Sequence, residues 1–511
     1  MKKKWIKCCF EDLLDYEQPT KYIVKSTKYS DSYTMPVLTA GKSFIKGYTN
    51  ETDGIFDNLP TIIFDDFTTA TQFVDFKFKV KSSAMKILVP TSKLVNMQFV
   101  YHLMQVNQVR SDTHKRYWIS VFSKKEILLP SLVEQKAIVK KIEQLFSSLD
   151  SGIADLKKAQ EQLKIYRQAV LKKAFEGELT KEWRENIVKT QDIASQLPTA
   201  DQLLKQIKEE RQNHYNQQIE DWKKAVKTWE EKGKVGKKPK KPTQIKTLES
   251  LSQEEVKLEI KIPANWIYEK IGNITDSIVP NRDKPKSFNG DIHWLTTPNL
   301  NLNSIIISYK SLEKGLTREE CFKYNARIIP VNSVIMTCVG MLGTSSVIEK
   351  EVVINQQLHA FTPCNSYLPK YLAYLIRFNK SYLERSSTAT TVQYLNKTKC
   401  NSIPFPLCSI KEQHQIVQQI ESRLSVCDKV EQSIAESLEK AKALRQSILK
   451  KAFEGKLLSA EEIAECKQAK DYEPASVLLE RIKAEKEVKT RELSSQKKKP
   501  KKRKTTKISS E

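Results

Sequence analysis

Apolar residues recur at steps of three and four along two long stretches of the chain, at 138–170 and 416–448. This spacing is typical of a helix that packs a narrow apolar seam against another helix. Gly177 and Gly455 follow the two stretches, and a left-handed glycine commonly ends a helix. The pattern predicts two helices, each roughly 60 to 70 Å long, that bury their seams against each other. The predicted seam residues are Ile138, Ile142, Leu145, Leu149, Leu156, Leu163, Tyr166 and Val170, and then Ile416, Ile420, Cys427, Val430, Ile434, Ala441, Leu444 and Ile448.

The second helical stretch is a copy of the first. Glu134-Gln135 recurs as Glu412-Gln413, an offset of 278 residues (412 minus 134), and this offset holds without a gap to the end of both stretches. Each copy closes on the same seven residues, Leu-Lys-Lys-Ala-Phe-Glu-Gly, at 171–177 and at 449–455. Because an internal repeat changes the interpretation of a whole fold, the chain is expected to consist of two related halves.

The repeat extends to the segments that flank the helices. Trp5-Ile6 corresponds to Trp266-Ile267 at an offset of 261 residues (266 minus 5), and residues 203–207 resemble residues 478–482. The chain is therefore organised as head, helix and tail, twice. The predicted domains are a first head (head 1) at 1–129, a long helix at 130–179, a helical and Lys-rich linker at 180–261, a second head (head 2) at 262–405, a long helix at 406–457, and a helical segment with a basic tail at 458–511.

Both heads contain short runs rich in β-branched and aromatic residues, which are broken by turn residues such as Asn58-Leu-Pro60. Helical patterns appear late in each head, at 95–106 and at 369–378. The predicted fold class is α+β, with two β-rich heads joined by two long helices in an internal repeat. Strands are predicted at 61–64, 73–80, 304–309 and 333–337.

The charge balance favours a polyanionic partner. Lys and Arg number 86 against 61 Asp and Glu, which leaves a net charge of +25 and suits nucleic acid or an anionic membrane surface. No window approaches the apolar length of a membrane-spanning helix, which weakens the membrane alternative. Part of the excess lies in two Lys-rich runs, at 232–241 and 497–504. Such runs are typical of solvated arms that add salt-sensitive affinity for phosphates.

Cysteine and histidine usage indicates neither a disulfide framework nor a metal site. The nine cysteines are odd in number and form no Cys-x-x-Cys pair, and six scattered histidines do not make a metal site. Lys7 and Glu11 interrupt the apolar stretch behind the basic start, so no signal peptide is predicted. Together these features suit a cytoplasmic protein.

Motifs for catalysis are missing from the sequence. Gly41-Lys42-Ser43 resembles the end of a P-loop, but the first glycine of that pattern falls on Pro36. There is no Asn-Pro-Pro-aromatic stretch and no glycine-rich cofactor loop for methyl transfer. Asp65-Asp66 resembles a carboxylate pair, yet no lysine follows at nuclease spacing, so a structural role at a strand end is expected. The chain is therefore not expected to be an enzyme.

Polar and basic residues cluster where loops are expected in both heads. Arg, Lys, Asn and Gln side chains reach base edges, and Ser and Thr also reach phosphates, so such clusters in a basic chain favour DNA. For any single residue, an ordinary solvated loop position remains the alternative. The candidate DNA-contacting residues are Thr39, Lys42, Lys46, Tyr48, Thr68, Thr69, Thr71, His114, Lys115, Arg116 and Tyr117 in head 1, and Arg282, Lys284, Thr297, Asn299, Asn301, Thr391, Gln393, Tyr394, Asn396 and Lys397 in head 2.

The start of the first long helix at Pro130 to Gln135, the shared seven-residue end and the repeated architecture resemble the specificity (S) subunit of type I restriction-modification enzymes. The resemblance covers essentially the whole chain. It implies that the heads are target recognition domains, that the helices pair as an antiparallel coiled coil, and that each head reads one half of a split DNA target. Phe64 to Thr69 and Asp112 to Tyr117 look like one recurrent type of recognition domain, and Asn355-Gln356-Gln357 looks like another.

The same resemblance implies the partners. Double-stranded DNA is the expected ligand, with the heads on the major groove about a helical turn, roughly 34 to 36 Å, apart. Two modification subunits that use S-adenosylmethionine and two restriction subunits that use ATP and Mg²⁺ are expected beside this chain, which itself would bind no cofactor and no membrane. Two other classes remain open: a coiled-coil scaffold with protein-binding heads and loose nucleic-acid affinity, and a nuclease or methyltransferase in its own right, which the missing motifs disfavour.

Overall fold

A computed structural model of the chain describes residues 5–40, 43–107, 117–189, 198–235, 238–242, 247–249, 251, 261–280, 284–301, 303–388 and 392–497. The helices are α1 (Phe10–Leu13), α2 (Met97–Val106), α3 (Leu132–Phe175), α4 (Lys181–Lys189), α5 (Ala200–Glu231), α6 (Ile271–Ile274), α7 (Arg318–Lys323), α8 (Pro369–Phe378), α9 (Lys380–Ser386), α10 (Lys397–Asn401), α11 (Ile410–Phe453), α12 (Ala460–Gln468) and α13 (Ala475–Lys497).

The strands are short and fall within the two heads. They are β1 (Ile6–Cys9), β2 (Leu14–Glu17), β3 (Met35–Leu38), β4 (Ile45–Thr49), β5 (Thr61–Asp65), β6 (Thr71–Val74), β7 (Lys79–Val80), β8 (Met85–Pro90), β9 (Glu126–Leu129), β10 (Ile267–Lys270), β11 (Ser277–Ile278), β12 (Ile292–Leu295), β13 (Gly315–Leu316), β14 (Ile328–Ile329), β15 (Val334–Thr337), β16 (Ser345–Val347), β17 (Val352–Ile354), β18 (Leu358–Phe361) and β19 (Pro404–Leu407).

The chain divides into two compact units. Unit 1 consists of residues 1–158 and 434–511, and unit 2 consists of residues 159–433. The long helices α3 and α11 have 44 residues each, and each contributes one part of its length to each unit. Unit 1 is therefore built from both ends of the chain, whereas unit 2 is one continuous stretch.

The two heads share one topology. Each unit contains a four-stranded antiparallel sheet of equivalent order, β2-β8-β5-β6 in unit 1 and β11-β18-β15-β16 in unit 2. A second sheet has three strands in the order β4-β3-β7 in unit 1 and four in the order β13-β12-β17-β14 in unit 2, and each contains one parallel pair, β3-β7 or β12-β17. The predicted α+β class with a repeated plan is confirmed.

Each head is closed by a strand pair that leads into its long helix. Strand β1 pairs with β9, with Ile6 opposite Leu129, and β10 pairs with β19, with Ile267 opposite Leu407. Both opening strands continue into a one-turn helix, α1 or α6, whose apolar residues are buried. The 261-residue offset seen in the sequence therefore relates equivalent structural positions.

The Glu-Gln pair at the start of each long helix is hydrogen-bonded to the groups around that start. Gln135 Nε2 donates to the carbonyl of Pro130 at 3.0 Å, and Gln413 Nε2 donates to the carbonyl of Cys408 at 3.0 Å. Glu134 accepts from the hydroxyl group of the residue three positions earlier at 3.1 Å. The N–H of Ser131 also donates to Glu134 Oε2, and the N–H of Glu134 donates to Ser131 Oγ, both at 3.3 Å, which satisfies N–H groups that a helix start leaves unpaired. Glu412 instead accepts from Trp266 Nε1 at 2.9 Å, so the glutamine bond is the part that both helices share.

The ends of both long helices also follow the prediction. Gly177 and Gly455 have φ angles of 73° and 69°, a left-handed conformation that costs a residue with a Cβ atom more than it costs glycine. Just before them, Phe175 packs 5.3 Å from Tyr371 in unit 2 and Phe453 packs 5.4 Å from Phe99 in unit 1. The identical seven-residue ends thus anchor the two helices in equivalent ways.

In unit 1 the two helix halves run antiparallel. Arg445 Nη2 on α11 lies 2.8 Å from Asp150 Oδ2 on α3, and the guanidinium stacks 4.3 Å from the ring centroid of Phe146. Nearer the start of α3, Lys141 forms an ion pair with Glu462 of α12, the helix that follows α11. The apolar core beside them includes Ile142 and Leu449.

Unit 2 repeats this arrangement with the roles exchanged. Arg167 Nη2 on α3 lies 2.6 Å from Asp428 Oδ1 on α11. Arg167 and Arg445 are 278 residues apart, as are Asp150 and Asp428, so the two ion pairs are equivalent. Ion pairs this exposed contribute only about 0 to 1 kcal/mol. The apolar seam carries most of the stability, and the predicted antiparallel pairing is confirmed within each unit.

The predicted seam is wrong at three positions. Val430, Leu444 and Tyr166 are 41%, 51% and 48% exposed. A strict heptad spacing falls instead on the neighbouring Glu431, Arg445 and Arg167, which are half-buried. Their long side chains can lie along the seam while their charged ends are paired at its edge. The buried and half-buried heptad positions of α11 are Cys427, Glu431, Ile434, Leu438, Ala441, Arg445 and Ile448.

A helix from each tail packs on the start of a head. In unit 1, Leu478 and Ile482 of α13 join the core that contains Phe10 and Leu13, and Lys486 lies 3.8 Å from Asp15.

In unit 2, Leu203 and Ile207 of α5 join the core that contains Ile271 and Ile274. The equivalent of the Lys486 contact is a 3.0 Å ion pair from Arg211 to Asp276. The resemblance of 203–207 to 478–482 therefore reflects a shared docking role.

Local predictions were mixed. The helices predicted at 95–106 and 369–378 correspond to α2 and α8, and the strands at 61–64 and 333–337 to β5 and β15. Residues 73–80 form parts of two strands, β6 and β7, rather than one. Residues 304–308 form only an isolated bridge at Ile306, and Tyr309 begins a 3-10 helix. Ile305 and Ile307 nevertheless enter two different cores, as the side chains of a strand would.

The burial of Ile448 and the exposure of Leu444 on the same helix can be tested by truncating each side chain. Replacing Ile448, which is 6% exposed, by alanine should lower the free energy of unfolding by about 2 to 5 kcal/mol because it leaves a cavity. Replacing the exposed Leu444 by alanine should change it by no more than about 0.5 kcal/mol. Urea unfolding of the two variants measures both values, and equal losses would contradict the observed seam.

Candidate nucleic-acid interface

In head 2, polar loops follow the carboxyl ends of two parallel strands. Strand β12 ends at Leu295, β17 ends at Ile354, and the two strands pair in parallel at these residues. The backbone N–H of Asn355 then donates to the carbonyl of Leu295 at 3.0 Å. Because parallel strands end at the same edge of a sheet, the loops starting at Thr296 and Asn355 emerge side by side.

The two loops share a network of hydroxyl and amide groups. Thr297 Oγ1 and Asn355 Nδ2 both donate to Gln357 Oε1 at 3.1 Å. Asn299 Oδ1 accepts from the backbone N–H and the hydroxyl of Thr296 at 2.7 and 2.9 Å. The network fixes these side chains while Gln357 remains exposed, so part of its hydrogen-bonding capacity faces solvent.

A cavity of about 610 Å³ adjoins this network. Phe288 and Trp294 form an aromatic wall with their ring centroids 5.7 Å apart, and Lys284 and Lys314 supply positive charge at the rim. Amide groups, aromatic faces and amines together can bind planar, hydrogen-bonding and anionic groups, which are the features of nucleic acid.

Glu320 holds the loop that carries Phe288. Its carboxylate accepts from the Ser287 hydroxyl, from the N–H of Thr317 at 3.0 Å and from Asn289 Nδ2 at 3.0 Å. These hydrogen bonds, first that of Ser287, lower the pKa of Glu320 from 4.5 to about 2, because they stabilise the charged form.

Arg377 holds the loop on the other side of the site. Its Nη2 donates to the carbonyls of Asn301, Ser304 and Ser345 at 2.7, 2.7 and 2.8 Å. Burial lowers the pKa of Arg377 to about 10, so the side chain stays charged at neutral pH. Asn301 itself is exposed at the surface.

A further group of candidate residues joins the same edge of head 2. Gly340 in the β15–β16 turn donates its N–H to the carbonyl of Gln393 at 2.9 Å, and Leu395 donates to the carbonyl of Cys338 at 2.9 Å. The N–H of Cys338 donates in turn to the carbonyl of Gln357 at 2.9 Å. Tyr394, 45% exposed, therefore lies on a loop tied to the amide network.

Asn396 and Lys397 lie at the start of α10. The Asn396 side chain accepts from the N–H of Lys399 at 2.9 Å, so it caps this helix, while Lys397 is exposed. These two residues continue the polar surface that begins at Gln393.

Head 1 also has two adjacent loops at the carboxyl ends of a parallel strand pair, but with different side chains. Leu38 ends β3 beside Val80 of β7, and the N–H of Lys81 donates to the carbonyl of Leu38 at 3.0 Å, which matches the Asn355 contact. Thr39 Oγ1 donates to the carbonyl of Ser43 at 2.7 Å and shapes the next turn. Sequence reasoning missed Lys81, because only the strand pairing identifies it as the counterpart of Asn355.

The β5–β6 turn of head 1 lies beside Tyr117. Asp66 Oδ1 accepts from the N–H of Trp118 at 2.9 Å, and the N–H of Tyr117 donates to the Asp66 carbonyl at 3.0 Å. Asp65 Oδ1 accepts from the N–H of Phe67 at 2.9 Å and also from that of Thr68. Both aspartates are buried and bind backbone, which is the structural role expected of them.

The candidate residues differ in accessibility. Thr68, Lys46, Lys284, Asn301, Tyr394, Asn396 and Lys397 are exposed, and Thr39, Tyr48, Thr297, Asn299 and Gln393 are half-buried. Thr69, Thr71 and Tyr117 are buried, and Thr71 Oγ1 accepts from Gln105 Nε2 at 2.6 Å. These three side chains support the turn and present little surface to a ligand. Lys42, His114, Lys115, Arg116, Arg282 and Thr391 lie outside the described residues.

Two features are absent from the described part of the chain. It contains no group of three His, Cys, Asp or Glu side chains placed to hold a metal ion. It also has no helix that is both long and apolar enough to cross a lipid bilayer.

Comparison with known proteins identifies a family. The chain matches the family described as type I restriction modification DNA specificity domain over residues 2–159 and 263–440. It is 28% identical over 454 residues to the type I restriction enzyme EcoR124I/EcoR124II specificity subunit of Escherichia coli, which covers 85% of this chain and 89% of that protein. It is 25% identical over 410 residues to the EcoBI specificity subunit of the same organism, covering 76% and 72% of the two chains.

A solved structure gives the same result for the fold. A chain from work on complex assembly and conformational transition of the type I R-M system matches with a TM-score of 0.56 at 14% identity, covering 89% of this chain and 98% of that one. Identity this low supports the architecture alone.

The network around Glu320 predicts a pH-dependent contribution to stability. Since the folded-state pKa of about 2 lies below the ordinary 4.5, the contribution is complete above pH 4.5 and is lost as the pH falls toward 2. The difference in thermal unfolding midpoint between the unaltered chain and Glu320→Gln should therefore shrink over that range. Glu319→Gln, on the exposed side of the same helix, serves as control, and a difference that stays constant down to pH 2 would contradict the assignment.

Proposed function

This chain belongs to the family of type I restriction-modification DNA specificity subunits, and we propose that it reads a split DNA target with one half-site bound by each head. Family membership makes it a non-catalytic recognition subunit. The split target is supported by one observation: in both heads, two loops emerge side by side from the carboxyl ends of a parallel strand pair, but with different side chains. Lys81 stands at this place in head 1, and Asn355 stands there in head 2. A shared scaffold with diverging loops is the arrangement expected when two surfaces bind different sequences.

In head 2 the proposed reading surface is the amide network and the loop that follows it. Gln357 and Asn355 offer donors and acceptors in fixed relative positions, and such amides pair with adenine in the major groove. Exposed Lys284 and Lys397 supply phosphate contacts, which orient a protein on the duplex without reading sequence. In head 1 the corresponding groups are Lys81, Thr68 and Lys46.

The long helices are proposed to set the unread gap between half-sites and to dock the catalytic partners. Tyr166 on α3 and Leu444 on α11 are equivalent under the 278-residue offset, and both are about half exposed. Large exposed apolar side chains at equivalent places suit two copies of one partner. We assign these places to two modification subunits, which bind S-adenosylmethionine, with two ATP- and Mg²⁺-dependent restriction subunits completing the complex.

Exchange of a head tests the split target. Replacing residues 1–129 by the first head of another specificity subunit should change one half of the recognised sequence and leave the other half and the gap intact, because each head contacts its own bases. Methylation mapping of DNA from cells with the assembled complex gives both halves at once. A change in both halves would refute the modular assignment, and the absence of any enriched motif would favour the scaffold with protein-binding heads.

Charge insertion tests the partner sites. Tyr166→Glu or Leu444→Glu should weaken one modification-subunit site by about 2 kcal/mol or more, since a central apolar contact is lost, and the double variant should weaken both. Native mass spectrometry reports the number of subunits bound. Gln168→Glu and Gln446→Glu are matched controls, since two residues along a helix point to nearly the opposite side. If the double variant still binds two modification subunits, these subunits do not dock at Tyr166 and Leu444.

A further inference from the structure

Helix α5 extends well past the surface on which it docks. Its first turns are fixed to head 2 by the buried Leu203 and Ile207 and by the ion pair of Arg211. From residue 212 to the end of the helix at Glu231, no residue is buried. Twenty helical residues rise about 30 Å, so this part of α5 forms an arm that adds nothing to the core of the head.

The chain after α5 folds back along the arm. Trp222 Nε1 donates to the carbonyl of Pro239 at 3.0 Å, and the Lys241 amine stands 5.8 Å from the Trp222 ring centroid. Lys238 stands 6.0 Å from the ring of Trp229 in the same way.

The return segment is also tied to the head. The N–H of Leu248 donates to Asn273 Oδ1 at 2.8 Å, and Asn273 Nδ2 donates back to the Leu248 carbonyl at 3.0 Å. The described parts of this segment, 238–242 and 247–249, therefore have defined contacts at both its outer and its inner end. The Lys-rich run is part of a built feature rather than a free tail.

Positive charge is concentrated at the tip of the arm. Residues 212–241 contain nine lysines against four acidic residues. Toward the base, Lys223 is paired with Glu220 at 2.7 Å. At the tip, the exposed lysines are Lys232, Lys234, Lys238, Lys240 and Lys241.

The sequence repeats this design at its end. Helix α13 docks on head 1 as α5 docks on head 2, and a second Lys-rich run at 497–504 follows it. Each docking helix is thus succeeded by a lysine cluster. Lysine amines are point charges without a preferred planar partner, so such clusters suit a uniform polyanion better than a particular base sequence.

We propose that the α5 arm is a second, sequence-independent DNA site, whose tip lysines bind backbone phosphates outside the half-site of head 2. The proposal rests on the proposed function in one respect, since it requires that the chain engages duplex DNA. Its role is to raise affinity for any duplex and to lengthen the time spent near a target, which is what phosphate contacts provide.

The test removes two charges either just past the end of α5 or near its start. The tip variant is Lys232→Gln with Lys234→Gln, and the control is Lys205→Gln with Lys208→Gln, at exposed positions of the docked end. Both are made in the full chain, alone and assembled with modification subunits. Binding is measured on a random-sequence duplex long enough to extend beyond both heads, and on a short one.

On the long duplex the tip variant should bind about tenfold more weakly at about 0.1 M salt, and the slope of log K against log salt should fall by about two, close to one for each lost phosphate contact. The control should keep the slope of the unaltered chain. The tip effect should be smaller on the short duplex.

Other results would overturn the proposal. Unchanged binding by the tip variant removes the arm from the DNA, and equal losses in tip and control variants show a general charge effect. Weaker assembly with modification subunits at unchanged DNA affinity assigns the arm to a protein partner. Motif enrichment from a random library by the unaltered complex is measured in parallel, because its absence would defeat the proposed function whatever the arm does.

Discussion

The structure depends on the burial of each head's opening segment against chain that comes from elsewhere in the sequence. In unit 1, Phe10 and Leu13 share a core with Ile142 of α3, Ile448 of α11 and Leu478 of α13. None of these segments has enough apolar surface to form a core by itself. Full burial of one such side chain contributes about 1.5 to 3 kcal/mol, so joining these segments outweighs the exposed ion pairs along the helices.

Repetition made much of the fold predictable. An identical seven-residue end and a constant offset established two equivalent helices, and residues 203–207 and 478–482 marked two equivalent docking helices. The seam failed at Val430 and Leu444 because apolar identity was favoured over strict heptad spacing. Next to Val430 the structure places Glu431 in the seam, and next to Leu444 it places Arg445, whose side chain is paired with Asp150 at the edge of the seam. A long cationic side chain can fill an apolar position when its end is paired, and sequence alone does not show the pairing.

The candidate site was predictable in outline only. Loop chemistry identified Thr297, Asn299 and Tyr394, and the structure joins all three to one edge of head 2. Lys81 escaped notice since its importance comes from the parallel pairing of β3 with β7, which brings distant segments together. Thr69 and Thr71 were selected for their hydroxyl groups, yet the turn buries them. Residue type indicates what a loop can bind, whereas strand order decides which side chains face outward.

The composition of unit 1 from both ends of the chain has a consequence for biosynthesis. Unit 2 is complete once residue 433 has left the ribosome, whereas the core of head 1 lacks Leu478 and Ile482 until residue 482 has left it. During that interval Phe122 still packs 5.2 Å from Phe10, but the side of this core that α13 covers is open to solvent, and exposed apolar surface recruits chaperones or aggregates. Head 1 is therefore translated before unit 2 but completed after it, and a nascent chain interrupted before α13 retains a folded second head and an unfinished first one.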